Sequence, residues 1–322
     1  MDTKVRTLLI PAIVAAGIIV YLIMFIWDRI PLALEHFDPV LSIAAIIICA
    51  GGWIVRGERY RFILDGLAIR TSSSFSIASI FASQTANLIA PARLGDLVRV
   101  YILKHEGLSG YSQGFSSLVV ERIFDIFTIA LLGFIAINFV FNVPSWAYTF
   151  VIVPFVGGGI FLLLMYALGM VKSDNRYIEM LFVIVRQVKE ASLKPRAVAI
   201  LSLSSILVWL GDIAVCGVVV AMFGESGSPA VIILAIAMGN LVKAVPITPG
   251  GLGTYELTLA SILALAGIPF AAATLIAFID HLIKNLVTLG GGILSVYVFG
   301  GWVGSAIKKA LKARIGEEDF GS

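Results

Sequence analysis

The sequence predicts an all-α, polytopic membrane protein, and three observations carry that prediction. Of 322 residues, 59% are hydrophobic and 13% charged, with a mean hydropathy of +1.01. Soluble domains carry about 25% charged residues, so this chain has too little charge to clothe a water-facing surface. Six apolar stretches, near 8–26, 39–55, 112–141, 148–171, 197–222 and 270–300, are long enough to cross a bilayer, which takes roughly 20 helical residues. Two further apolar regions, 75–105 and 230–267, are interrupted near their centres by Pro and Gly. A soluble globular enzyme is excluded. The chain reads as a single transmembrane domain over 1–322, with loops too short for a separate soluble domain.

The first stretch follows Lys4 and Arg6, as a signal peptide would, but ends in Trp27-Asp28-Arg29 rather than small residues. It is therefore expected to remain as a helix. Cys49 and Cys216 lie within apolar runs and read as space-filling side chains rather than a disulfide. Gly157–Gly159 and Gly290–Gly292 read as points of close helix approach. Of 23 Lys and Arg, 19 fall in segments assignable to one side, including Arg56, Arg59, Arg61 and Arg70, and the basic tail at 305–322. The opposite loops contain Arg29 alone. By the positive-inside rule both termini are cytoplasmic, in a cell (plasma or inner) membrane. Arg176–Lys189 alternates apolar pairs with charges and reads as a helix lying on the cytoplasmic interface. A net charge of +3 gives no reason to expect a nucleic-acid partner.

The first interrupted region breaks at Asn87, Pro91, Arg93, Gly95 and Asp96. The second breaks at Asn240, Pro246, Pro249, Gly250, Gly251, Gly253 and Glu256. Proline removes a backbone donor and glycine loosens the chain, so together they end a helix. Each arm is about 10–16 residues, or roughly 15–24 Å, short of a 30 Å hydrocarbon core. Re-entrant pairs of half-helices account for this. The first half, about 1–141, then runs span, span, broken pair, span, and the second half, about 148–300, repeats that order upside down. Matching interruptions in two inverted halves point to a transporter's binding site.

Charges inside the spans sharpen the location. Glu121, Arg122 and Asp125 lie in one span and Asp280, His281 and Lys284 in another. Intramembrane ionisable residues are costly and mark function by default. Glu121 with Asp125, and Asp280 with Lys284, are spaced to share a helix face. Arg93 and Arg122 suit a phosphate through charge-assisted bonds, with Arg99 beside them. Backbone N–H groups beyond Gly95 and Gly253 are available to the same anion. Glu121, Asp125, Glu256 and Asp280 have three open roles: orienting the arginines, attracting a cationic headgroup, or carrying a proton. Asn87 and Asn240 serve equally well as backbone caps or ligand contacts. Lys243 stands at the edge of the set, with snorkelling as its competing role.

Enzyme readings are weaker. The dispersed histidines His36, His105 and His281 give no zinc spacing, no Gly-rich loop carries a nucleotide-binding Lys, and no metal or cofactor is expected. Gly107-Leu-Ser-Gly110 superficially suits an intramembrane serine protease with His281 as base, but it sits in a polar connection. A membrane glycosyltransferase using Asp96, Asp125 or Asp280 as base is the serious rival. An accessory scaffold for such an enzyme is a third reading.

The run Asn87…Pro91…Gly95-Asp96-Leu-Val-Arg99, then Val120-Glu121-Arg122-Ile-Phe-Asp125, then Pro246-Ile-Thr-Pro249-Gly250-Gly251-Leu-Gly253-Thr-Tyr-Glu256 resembles the flippase-like transmembrane region of lysylphosphatidylglycerol synthases. The resemblance covers about 70–300. It implies a lipid translocase acting on aminoacyl-phospholipids or polyprenyl-phosphate glycolipids. It also implies membrane lipids as partners, together with a separate glycosyltransferase or lipid-modifying enzyme. The family commonly has Glu in place of Asp96 and an arginine in the last span, where this chain has Asp280, His281 and Lys284. Without a soluble aminoacyl-transfer domain, lysyl transfer by this polypeptide alone is not expected.

Overall fold

A computed structural model of the chain describes residues 38–90, 93–168, 175–245 and 248–300, with Met24, Trp27, Pro31 and Trp302. The expected first span at 8–26, Pro91, Pro246 and the tail at 305–322 lie outside the described residues. The described residues form ten α-helices and no strand. They are α1 (Pro39–Gly66), α2 (Ser73–Ile89), α3 (Asp96–His105), α4 (Tyr111–Ile137), α5 (Ser145–Leu168), α6 (Arg176–Ser192), α7 (Pro195–Met222), α8 (Pro229–Ala244), α9 (Thr254–Leu265) and α10 (Phe270–Phe299).

Local chemistry sets the helix starts. Asp38 accepts from the Val40 and Leu41 N–H groups at 2.8 and 3.2 Å ahead of Pro39. Ser72 caps α2 through Phe75 N–H, and Ser228 caps α8 ahead of Pro229. An oxygen-bearing cap followed by proline at the first helical position satisfies donors that would otherwise be orphaned. By length and composition, α1, α7 and α10 suit a membrane span. Their starts and ends lie close to the expected apolar stretches, with one correction. The stretch expected to end at residue 55 continues as α1 to Gly66. Arg56 and Arg59 are thus inside a helix rather than in a cytoplasmic loop, because their charges find partners on other helices.

The bundle has a repeating contact pattern. α1 packs along α7; α2 packs against α10, and α8 against α4. The two interrupted regions fold back on themselves, α2 onto α3 and α8 onto α9. Two apolar clusters form the main core. One contains Ala45 and Cys49 of α1, Ile129 of α4 and Trp209 and Cys216 of α7. The other contains Tyr60 and Ile63 of α1, Val120 and Phe124 of α4 and Leu201 of α7. Along α1, Arg56 and Arg59 fall between the two clusters, and along α4 so does Asp125. Cys49 and Cys216 are buried and unbridged, as expected. The amphipathic stretch at 176–192 is helical; Ser112 and Ser116 of α4 donate to its Gln187 at 3.1 and 2.8 Å, while Leu181 is exposed.

Candidate functional site

Both interruptions are real breaks. After α2, Ala90 turns extended and Arg93 adopts a left-handed conformation, φ 55°. After α8 the chain enters a short 3₁₀ turn, Pro249–Gly251, with Gly251 at φ 76°. Two glycines are demanded by close approach. A Cβ on Gly95 would come within 2.6 Å of the Asn87 side-chain oxygen and the Ser83 carbonyl. On Gly251 it would meet the Lys243 stem at 2.6 Å. Gly250 lies against the Leu88 backbone, so the two elbows meet.

Around the first elbow, helices α1–α4 build a buried charge network. Asp96, in the first turn of α3, accepts from Asn87 and Gln84 at 2.9 Å each. The same carboxylate pairs with Arg122 at 2.8 Å and Arg99 at 3.3 Å. Arg99 is fully buried, reaches Glu121 at 2.5 Å and lies 4.8 Å from the centre of the Tyr60 ring. Arg59 pairs with Asp125 at 2.6 Å and donates to Ser205 of α7 at 2.7 Å. Three arginines and three carboxylates are thus interlocked. The low local dielectric strengthens such bonds, although the Nε–H groups of Arg59, Arg99 and Arg122 find no acceptor among the described residues.

The second elbow carries a related arrangement on α8–α10. Glu256, in the first turn of α9, accepts the Gly253 N–H at 2.7 Å and bonds His281 Nδ1 at 2.6 Å. His281 Nε2 lies 3.0 Å from Lys243 Nζ. An ammonium only donates, so Nε2 accepts, Nδ1–H donates to Glu256, and the imidazole is a neutral bridge. Asp280 binds Lys284 at 2.8 Å and accepts from Tyr255 at 2.7 Å. Across the bundle, Arg56 of α1 pairs with Asp212 of α7 at 2.8 Å.

Between the elbows lies a cavity of about 140 Å³, when one water needs roughly 10–15 Å³. Of the residues expected at the site, Asn87, Arg93, Glu121, Arg122, Asp125, Asn240, His281 and Lys284 line it, as do Gly250 and Gly251. Asp96, Arg99, Glu256 and Asp280 stand behind: Asp96 and Asp280 hold the lining cations Arg122 and Lys284, Arg99 holds the lining Glu121, and Glu256 holds His281. Lys243 also lines the cavity instead of reaching away to an interface. The N–H groups expected to be open at the second elbow lie beyond Gly253, whose own N–H is taken by Glu256. One expectation needs correction. Asn240 donates to Ile236 O on its own helix at 2.9 Å, so it does not cap the break; Asn87 instead holds Asp96. The protease reading loses its base, since both His281 nitrogens are engaged by Glu256 and Lys243.

Sequence reasoning overlooked Arg56, Arg59, Gln84, Asp212 and Tyr255. Asp212 carried a legible signal, as a lone acid inside the apolar run 197–222. Arg56 and Arg59 did not, because they follow the apolar run directly, where loop charges belong.

Two broken helix pairs meeting at a charged, hydrated-size cavity define a helical membrane protein with a polar centre. The chain belongs to the family of the lysylphosphatidylglycerol synthase TM region, whose model matches residues 10–292. It is 30% identical over 328 residues to Glycosyltransferase AglD of Haloferax volcanii, covering 88% of this chain and 53% of that protein. The chain therefore spans about half the length of that relative. It is 24% identical to a UPF0104 membrane protein of Methanothermobacter thermautotrophicus (87% of this chain, 91% of the relative). A UPF0104 membrane protein of Pyrococcus horikoshii is 22% identical (88% and 95%). No solved structure matches.

Proposed function

We propose that this chain is a lipid translocase, moving a phosphate-bearing lipid such as an aminoacyl-phospholipid or polyprenyl-phosphate glycolipid between leaflets of the cell membrane. The observation that carries the reading is the cavity between the two elbows, lined by five cations from four helices and one elbow. A headgroup would enter it while the tails remain in lipid. Family membership supports a membrane-lipid role.

The two halves, about 1–141 and 148–300, form an inverted repeat in this reading. The packing supports it, since α1 meets α7 and each broken pair leans on the last span of the other half. Alternating access then rocks one half against the other about the fixed site. Both termini are cytoplasmic. With Arg56, Arg59, Arg93 and Arg99 set aside as members of the site, the cations on that side still far outnumber Arg29.

A second reading is favoured by one finding, the similarity to about half of a protein named as a glycosyltransferase. In it, this chain is an embedded glycosyltransferase, or a scaffold for one that uses lipid-linked sugars. Reconstitution in vesicles carrying labelled phosphate lipids separates the readings. A translocase exchanges lipid between leaflets faster than empty vesicles do, and E121Q, R122Q and D280N each slow it tenfold or more while the proteins still elute as single species. Exchange equal to that of empty vesicles across several phosphate lipids rejects the translocase. Full tolerance of all three substitutions points to the scaffold.

A further inference from the structure

The charges around the cavity balance except at one place. Among the lining cations, Arg56, Arg122 and Lys284 each have a carboxylate at 2.8 Å. Behind them, Arg59 and Arg99 are matched by Asp125 and Glu121. Lys243 is balanced at one remove, through the neutral His281 ring to Glu256. Arg93 alone among these cations makes no hydrogen bond or ion pair with the described residues, although it lines the same cavity and feels Asp96, Asp125 and Glu121 at longer range. Among the described residues the network thus carries a single excess positive charge, on the left-handed elbow of the first broken pair.

A partly buried charge without a counterion is unfavourable unless something pairs with it. Arg93 offers a planar guanidinium fork suited to a tetrahedral oxyanion. Lys243, on the other elbow's side of the cavity, uses one ammonium donor on His281 and has others to give. Arg122, expected from the sequence to take the phosphate, is already occupied by Asp96 at 2.8 Å, with Glu121 at 3.7 Å and Asp125 at 3.9 Å.

We infer that Arg93 and Lys243, one cation from each broken pair, form a binding site for one phosphodiester anion. A phosphodiester carries a single negative charge and neutralises the excess. A diphosphate brings more charge than the network can match, as does a phosphate monoester at roughly −1.5 to −2. The site deepens the translocase reading and rests on it for the lipid that carries the diester. It also gives that reading a geometric coupling, because an anion held by both broken pairs ties the two halves together.

The full chain, purified in neutral detergent, tests this by thermal shift and by direct titration with three probes. These are glycerophosphoglycerol as a water-soluble diester, dihexanoylphosphatidylglycerol as a lipid diester, and pyrophosphate. The diesters should bind saturably, with pyrophosphate at least tenfold weaker. R93Q and K243Q should each weaken diester binding tenfold or more, R93K should restore most of it, and R61Q should change nothing. Without ligand, R93Q should be at least as stable as the parent, since it removes an unmatched charge; this shows the loss is not misfolding. Binding of the lipid diester alone, lost in R93Q, assigns the site to a headgroup, whereas equal binding of both assigns it to the diester itself. Undiminished diester binding in the R93Q/K243Q double variant overturns the proposal, as does pyrophosphate binding as tightly as the diesters. Leaflet exchange is read separately. Binding without exchange rejects transport and leaves the site, while exchange with binding intact in both variants rejects the site and leaves transport.

Discussion

Two ion pairs show how burial sets the worth of a charge here. Arg61 and Glu58 meet at 2.8 Å with side chains 43% and 37% exposed, where such pairs contribute about 0–1 kcal/mol. Arg99 meets Glu121 at 2.5 Å with its side chain wholly buried. Removing one member of a buried pair leaves its partner uncompensated and costs about 3–5 kcal/mol. R99M should therefore lower the thermal midpoint in detergent sharply, whereas R61A should leave it nearly unchanged, a surface substitution costing no more than about 0.5 kcal/mol of stability. Equal midpoints for the two variants would contradict the interlocked network. The same principle makes Arg93 informative, since it is the member whose removal relieves a charge instead of stranding one.

At the scale of helices, close approach depends on which glycines face a neighbour. Gly291 and Gly292 of α10 lie directly against Phe81 and Thr85 of α2, and Thr85 donates to Thr288 O across the same contact at 3.0 Å. In the run 157–159, Gly158 alone is near a neighbour, with a Cβ falling 3.3 Å from Phe127; Gly157 and Gly159 face open space. Both runs read alike in sequence, yet consecutive helical residues point about 100° apart, so only the tertiary packing decides which of the three glycines face a neighbour. G292A should wedge α10 from α2 and cost about 1–3 kcal/mol by overpacking, with G159A close to neutral. Thermal midpoints of the two variants decide this. Equal effects would mean that the α2–α10 contact is looser than described.

The whole molecule depends on two elbows reaching a common cavity from different halves. Leu88, ahead of the first elbow, and Ala244, ahead of the second, both line it. With Cys49 and Cys216 replaced by alanine, single cysteines at 88 and 244 in sealed vesicles should react with impermeant thiol reagents, and between them from both sides of the membrane. Complete protection of both sites would remove the aqueous crevice, and reactivity of both from one side alone would remove alternating access.

Much of this was legible from the residues in order. Composition fixed a helical membrane protein. Pro and Gly marked both breaks, and the acids of α4 and α10 marked the centre, because ionisable groups in apolar runs stand out against their neighbours. Helix caps at Asp38-Pro39 and Ser228-Pro229 were equally local. What one dimension could not contain was pairing. Arg56 and Arg59 look like loop charges until α7 and α4 supply Asp212 and Asp125. Glu256 looks available until the Gly253 N–H and His281 occupy it. Sequence by itself decided which side chains carry charge and where helices must stop, since both follow from local chemistry. Only the tertiary structure decided which charges are spent on each other and that Arg93 is left over among the described residues, since electrostatic balance is a property of positions in space.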